Sequence, residues 1–476
     1  MRRLDGFSAF MVYNDVPCCY QHTLKIAIIE WDNPADYSFN FFLEHFEEGT
    51  TIFPMLRWKL QQVPLGINHP VWVHDTNFSL SHHVKRIACP KPGDKRTFCE
   101  LVSELYAQPL DKSLPLWQVW IIEGLENDQV AMVCMFHHAY TDGAGAARLF
   151  QGLFNPKKCK TLKSIDFGVD PNDKPTRPKI FLKAIVDLPI MFFSTFPRLI
   201  VALTKFYRLR RQYISTGKPL PPVAKEAPDS PLNTTYTQRR TFAYEDFSLE
   251  DFRTISKYFG VTINDLLVAV VAGGVRRYYQ EKQYPLDHAL VAGIPVNMRN
   301  EEQKKAIIGN YVANSFMRLP INVGDPVERL EIAALSGKIM KDYIAATGTP
   351  WLFLAMELVA PSVVDFLNWI LHRSKGQLKL FGNIVISNVV GPREPMRFYG
   401  GKVVNWLSIG QLFAGLGVNV TCWSYADKFS MCLMAEKQVI QNGERFLKLM
   451  RESFEEYQQI YQSRQGDWPY VQAVKS

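Results

Sequence analysis

An α/β fold in two domains is the class this sequence predicts, on three observations. The chain has 476 residues, more than one hydrophobic core usually organises. Strand-like and helix-like segments alternate up to about residue 165 and again from about residue 240. Between them, 171–231 holds 10 of the 29 prolines, a density that suits a linker. The boundaries therefore read 1–165, 166–240 and 241–476.

Taken in order, the opening MRRLDGFSAFMVYND carries two arginines in the manner of a signal peptide. Asp5 interrupts it, and its apolar run ends at Asn14 without a small-residue cleavage site, so no export signal is expected. QVAMVCMFHH (129–138) is apolar and β-compatible and reads as a buried strand, and GAGAARLFQGLF after it as a helix. In the linker, 179–213 has seven Lys/Arg against one acid, Asp187, on an apolar body. Its longest charge-free run, 188–197, falls short of the roughly twenty residues a spanning helix needs. Two readings stay open: an interfacial helix on an anionic membrane surface, or a helix clamped against both domains and kinked at Pro189 and Pro197. The stretch 403–426 is also charge-free, yet Asn405, Gln411, Asn419 and Ser424 would be costly in lipid; VNVTCWSY reads as an interior strand.

Composition removes several function classes. The formal charge of +8 is modest for this length and gathers on no dense basic face, which argues against nucleic acid as a partner. The eight cysteines form no CxxC pair and no His/Cys spacing of a zinc site. Cys134 and Cys422 sit in apolar runs, where reduced, buried thiols are expected, in keeping with a reducing compartment. There is no GxSxG elbow, HExxH, Walker A loop or GxGxxG after a strand.

The chemistry concentrates in MFHHAYTDGAGAARLF (135–150). A strand ending in His137-His138 sends the two imidazoles to opposite faces, so one faces a cleft and the other its own domain. Histidine is the side chain best matched to take a proton near pH 7 and release it again. The strand then breaks at Thr141-Asp142-Gly143, where Gly143 is expected to adopt a backbone angle that other residues resist, and Gly145 to let a helix pack close. Asp142 is placed to lock this turn through a backbone or arginine contact; Arg299 of PVNMR either pairs with it or stands exposed. His82-His83 lacks the trailing acid and glycine and reads as structural, as do the lone histidines. No metal is expected, since back-to-back histidines cannot converge on one ion.

HHAYTDG resembles the HHxxxDG signature of CoA-dependent acyltransferases, shared with chloramphenicol acetyltransferase and peptide-synthetase condensation domains. Other stretches resemble the bacterial wax ester synthase/diacylglycerol acyltransferases. PLDKSLPLWQVWIIEGL (109–125) looks like that family's PLW segment, with Pro115, Leu116 and Trp117. VTINDLLVAVVAGGVRRY (261–278) resembles its Asn-Asp motif through Asn264 and Asp265, and GIPVNMR (293–299) and GNYVANSF (309–316) are similar to its central region. SNVVGP (387–392), with Asn388, Gly391 and Pro392, resembles its Asn-Val-Pro-Gly-Pro motif, and GLGVNVTCWSYADKFSMCL its C-terminal strand pair. Val390 departs from the family's first proline there, and the N-terminal opening keeps only part of the usual pattern.

The resemblance implies two chloramphenicol-acetyltransferase-like domains forming a pseudo-dimer, joined by a crossover, with a tunnel between them. It places the catalytic base on His138, with His137 as structural support, brings Asn264 near the site and gives PLW and Asn388 structural or substrate-lining positions. Asn264 is then the candidate oxyanion donor, or else a cap of the helix DLLVAVVAGG. The implied reaction moves a fatty acyl group from acyl-CoA, a co-substrate with no other cofactor, to diacylglycerol or a long-chain alcohol without an acyl-enzyme. The expected location is cytoplasmic, with peripheral attachment to the inner face of the membrane or to lipid inclusions. Rival readings are a condensation-type, amide-forming catalyst and a non-catalytic lipid-surface protein with the same fold.

Overall fold

The computed structural model describes residues 1–154, 168–173, 175–299, 307–347, 351–373 and 382–463. Cys159 and the expected boundary at 165 lie outside these residues. Two six-stranded sheets dominate. The first has the order β12 (Arg397–Phe398), β13 (Gly401–Ile409), β2 (His22–Glu30), β7 (Val130–His137), β6 (Trp117–Glu123) and β5 (Val84–Ala88). The second has the order β10 (Val312–Leu319), β9 (Leu290–Asn297), β11 (Ile384–Val390), β14 (Val418–Tyr425), β15 (Lys428–Glu436) and β8 (Arg240–Ser248). A small sheet joins β1 (Arg2–Arg3), β4 (Val71–His74) and β3 (Trp58–Gln61).

Helices α1 (Gly6–Tyr13), α2 (Asn40–Ile52), α3 (Lys95–Tyr106) and α4 (Gly143–Phe154) accompany the first sheet. Helices α6 (Leu249–Tyr258), α7 (Ile263–Glu281), α8 (Pro326–Thr347) and α11 (Gly443–Ser463) accompany the second. The interior strands carry apolar residues on both faces because both faces are covered: every residue of β7 and β14 is buried. Two core clusters form, one around Trp117, Phe136 and Trp406 that also takes in Phe242, Trp423 and Met434 of the second sheet, the other around Phe252, Val271 and Phe454.

The three-block division needs one correction. β12 and β13 come from the C-terminal block, yet β13 pairs antiparallel with β2 in the first sheet, Trp406 opposite Ala27. Residues 241–476 are therefore not one self-contained unit. They lend a strand to the N-terminal sheet, which supplies the crossover that the resemblance implied.

The linker segment folds as α5 (Arg177–Ser215), one helix of 39 residues running through Pro189 and Pro197. It contains an 18-residue window apolar enough for a membrane span by length and composition alone, although its charge-free run stays at 188–197. One side of it is docked. Ile180 and Ala184 pack with Val63, Val71 and Val73, and further along Phe206 and Tyr213 meet Tyr343 of α8. Phe206 also meets Trp351 at the start of α9 (Trp351–Leu358), which leads to α10 (Pro361–Arg373). The other side leaves Ile190, Phe193, Phe196 and Val201 exposed, Phe193 by 74%. The helix is thus clamped on one face and leaves an apolar face open on the other.

Candidate active site

β7 delivers the histidine pair. The His137 N–H donates to Leu116 O (3.0 Å) and the His138 N–H to Gln21 O (2.7 Å), so successive peptides turn toward opposite neighbours. Their side chains do the same. The strand ends at His137, one residue before the sequence suggested, and His138 already lies in the turn. His137 is buried; its Nδ1 accepts the Ala139 N–H (3.1 Å), and its Nε2 lies 3.8 Å from Asp15. That bond closes the bend on itself. His138 instead lines a cavity of about 350 Å³ between the two sheets.

The turn is fixed from the other unit. Asp142 is buried; its Oδ1 accepts the Gly145 N–H (2.9 Å), and its Oδ2 accepts Arg299 Nε (3.0 Å) and the Tyr311 N–H (3.1 Å). Arg299, itself buried, lies over the Tyr311 ring. Thr141 Oγ1 donates to Ile307 O (2.5 Å), and the Gly309 N–H to Tyr140 O (3.0 Å). Gly145 is required for this closeness: a Cβ there would stand 2.0 Å from Thr141 Oγ1 and 2.5 Å from Ile307 O. Gly143 corrects an expectation. It has no positive φ and simply opens α4. Its small size matters at the cavity wall, where a Cβ would come within 3.2 Å of Val389 Cγ2.

The His138 ring is held at one nitrogen. Its Nδ1 lies 2.9 Å from Asn310 Nδ2, and among the described residues Nε2 meets no protein partner; Nε2 takes a proton in the tautomer that carries the ring hydrogen on Nδ1, which requires the Asn310 carboxamide to turn its oxygen to that nitrogen. Burial, followed by the nearby Lys25 ammonium, lowers its pKa to about 4, against which Asp142 and its own backbone carbonyl act. The imidazole is therefore neutral near pH 7 and free to accept a proton.

The resemblance-based residues divide. Asn388 lines the same cavity, whose wall also includes Gly143, Ala144, Val389 and Val390. Gly391 and Pro392 anchor the end of β11 to β14: a Cβ on Gly391 would meet Ser424 O at 2.2 Å, and Pro392 O accepts the Ala426 N–H. Pro115, Leu116 and Trp117 are buried behind β7, not in the cavity. Trp117 donates to Leu56 O (2.7 Å) and stacks on His83 at 4.4 Å, so that histidine is structural as expected. Asn264 requires correction, because it is not among the residues lining the cavity. It lies in the first turn of α7, whose capping box is made by Thr262 and Asp265. Asp265 is a structural residue, and Gly337 of α8 packs close to its carboxylate.

Asn310 and Lys25 are among the cavity residues that escaped the sequence reading as site residues. Asn310 follows Gly309, whose φ of 101° marks a forced turn. Lys25 is the one charge within LKIAII, a lone cation in a buried strand, and that pattern could have signalled it. Among the described residues no group of His, Cys, Asp and Glu is arranged to hold a metal ion.

Comparisons with known proteins identify the family. Residues 4–267 match the wax ester synthase/diacylglycerol acyltransferase catalytic domain, and 308–458 the C-terminal domain of the same family. A Mycobacterium tuberculosis protein named as a diacylglycerol O-acyltransferase is 36% identical over 462 residues, covering 96% of this chain and 97% of its own. The wax ester synthase/diacylglycerol acyltransferase from Marinobacter aquaeolei VT8 superposes with a TM-score of 0.66 at 21% identity, over 97% of this chain and 99% of its own. The trichothecene 15-O-acetyltransferase of Fusarium sporotrichioides shares the fold, with a TM-score of 0.61 at 13% identity, over 96% of this chain and 95% of its own. The chain belongs to the wax ester synthase/diacylglycerol acyltransferase family and is an acyl-CoA-dependent acyltransferase.

Proposed function

We propose that the protein transfers a fatty acyl group from acyl-CoA to the hydroxyl of diacylglycerol or a long-chain alcohol, with His138 as general base. The observation that carries this reading is the placement of a neutral imidazole on the wall of a cavity between the two sheets, with Nε2 unengaged. His138 takes the proton of the attacking hydroxyl as its oxygen bonds to the thioester carbonyl carbon. The tetrahedral oxyanion needs hydrogen-bond donors. Asn388 and the amino end of α4, where Gly143 and Ala144 line the cavity, are donors placed to serve. Collapse breaks the C–S bond, and the proton held by His138 passes to the leaving thiolate.

No acyl-enzyme is needed, because holding both substrates in one cavity already supplies a large proximity effect. The solvent-facing apolar side of α5 supports a second part of the proposal. Its aromatic and aliphatic residues, with Lys183, Arg198 and Lys205 on the same helix, suit peripheral binding to a lipid surface that holds the acceptor. The whole reading is tested by supplying palmitoyl-CoA with either acceptor and following thiol release and ester product. Ester formation that falls by about 10²–10⁴ in His138→Ala supports it; full activity in that variant overturns it.

A further inference from the structure

We propose that the Lys25 ammonium is the charged donor for the oxyanion of acyl transfer, so that the cavity floor is complementary to the transition state and not to either substrate. The proposal rests on the acyl-transfer reading of His138 and adds a catalytic residue to it.

Lys25 lies in the middle of β2 and is 3% exposed, yet it lines the same cavity as His138. Side chains alternate along a strand and His22 stands opposite His137, so Thr23 and Lys25 occupy the face that turns away from His137. The Lys25 ammonium donates to Ser408 Oγ (2.6 Å) and to Thr23 Oγ1 (3.1 Å). An ammonium has three N–H donors, so one remains. The bond to Thr23 draws the lysine head toward the base, because Thr23 stands opposite Phe136, two residues or about 7 Å of strand before His138. A hydrogen bond of about 2.8 Å at each end, with the attacking oxygen and the carbonyl group between, fills a span of that order.

Nothing at rest balances this charge. Lys25 and His138 are the only titratable side chains among the described residues that line the cavity, and the Trp423 ring faces the ammonium at 5.3 Å. The neutral groups beside it satisfy one another: Asn419 Nδ2 donates to Gln411 O (2.7 Å) and Thr421 Oγ1 to Asn419 Oδ1 (2.8 Å). A buried cation without a counter-ion is costly. The thioester, the alcohol and diacylglycerol are all neutral where they react, so binding them does not relieve that cost. The reaction itself does. As the hydroxyl oxygen bonds to the thioester carbon, its proton passes to His138 and the C=O electron pair moves onto the carbonyl oxygen, which accepts the third Lys25 N–H. Collapse returns that pair to the carbonyl, breaks the C–S bond and passes the proton from His138 to the thiolate. The oxyanion lies between imidazolium and ammonium, nearer to each than they are to one another, so attraction outweighs their repulsion. A contact made only in the transition state raises kcat and leaves substrate affinity alone.

The test uses the full chain with palmitoyl-CoA and either 1-hexadecanol or dioleoylglycerol. Lys25→Met should lower kcat by about 10²–10³ while the KM for palmitoyl-CoA stays within about threefold. Lys25→Gln, which keeps an N–H but no charge, should recover part of the loss. An arm without turnover compares two analogues of palmitoyl-CoA: a fluoromethylene ketone, whose hydrate is tetrahedral, and the thioether S-hexadecyl-CoA, which has no carbonyl oxygen. Wild type should bind the ketone about tenfold or more tightly, and Lys25→Met should lose that preference with its thioether affinity unchanged. A lysine that only supports the fold would alter both affinities alike. Should Lys25→Met fail to bind the thioether, Lys25→Gln decides by the same criteria. If neither acceptor turns over in the wild type, the acceptor reading fails, while a ketone preference lost with the lysine still supports the oxyanion role. Wild-type kcat in Lys25→Met, no ketone preference in the wild type, or a preference that survives the substitution would overturn the proposal.

Discussion

Arg299 Nε and Nη2 lie 3.0 Å and 2.9 Å from the same carboxylate oxygen of Asp142, tying the histidine turn to the segment that follows β9. Both partners are buried, so the pair is shielded from salt, and removing either one strands the other's charge. Asp142→Ala and Arg299→Ala should each cost about 3–5 kcal/mol in denaturant unfolding. The double variant should lose less than the sum, by about 0.5–3 kcal/mol. Additive losses would show that the two side chains act independently.

The adjacent histidines should separate cleanly. His137→Ala removes a buried ring and the acceptor for the Ala139 N–H, so it should lower stability by about 2 kcal/mol or more. His138→Ala should change the unfolding midpoint little, since its ring borders an open cavity, while turnover falls by about 10²–10⁴. Urea melts and acyl-transfer rates on the same preparations decide the matter; a reversed pattern would exchange the two roles.

The local pattern made this turn legible. HHxxxDG compresses strand end, acid and helix start into seven residues, and Arg299 of PVNMR was one of the two readings offered for the partner of its acid. Asn264 misled because its family motif drew attention to a helix start, whereas the spacing Thr262-x-x-Asp265 is itself a capping signature. β13 could not be placed in the first sheet from sequence. Its partner β2 lies some 380 residues away, and nothing local encodes a pairing made by a returning chain. Asn310 was missed for the same reason: it reaches His138 across 172 positions.

Asn310 offers a pH readout of the base. Only neutral His138 accepts a proton, so activity falls as pH drops through its pKa; at about 4, that limb lies well below neutrality. Asn310→Asp would set a carboxylate beside Nδ1 and favour the imidazolium, raising the pKa by about 1–3 units. The acid limb of kcat/KM should therefore move to higher pH, and Asn310→Leu should lower kcat without that move. An unshifted limb in Asn310→Asp would mean that this carboxamide does not sense the protonation of the base.

The open face of α5 makes the last prediction. At 1.5 Å per residue the helix is about 58 Å long, and it is held to the body near both ends through Ile180 and Tyr213. A helix tethered in this way presents its outer side flat to a surface. Burying a large apolar side chain in the headgroup boundary contributes about 1.5–3 kcal/mol, and each nearby Lys or Arg adds about 1 kcal/mol on an anionic leaflet. Ile190→Glu combined with Phe193→Glu should therefore weaken binding to phosphatidylglycerol-containing vesicles by about a hundredfold or more. Both residues are exposed, at 63% and 74%, so circular dichroism and the melting temperature should stay near those of the wild type. Raising the salt should weaken wild-type binding only in part, because the apolar contribution is not screened. Wild-type protein that ignores vesicles of every composition would leave this face without a lipid partner, and its exposed aromatics would then need a protein one.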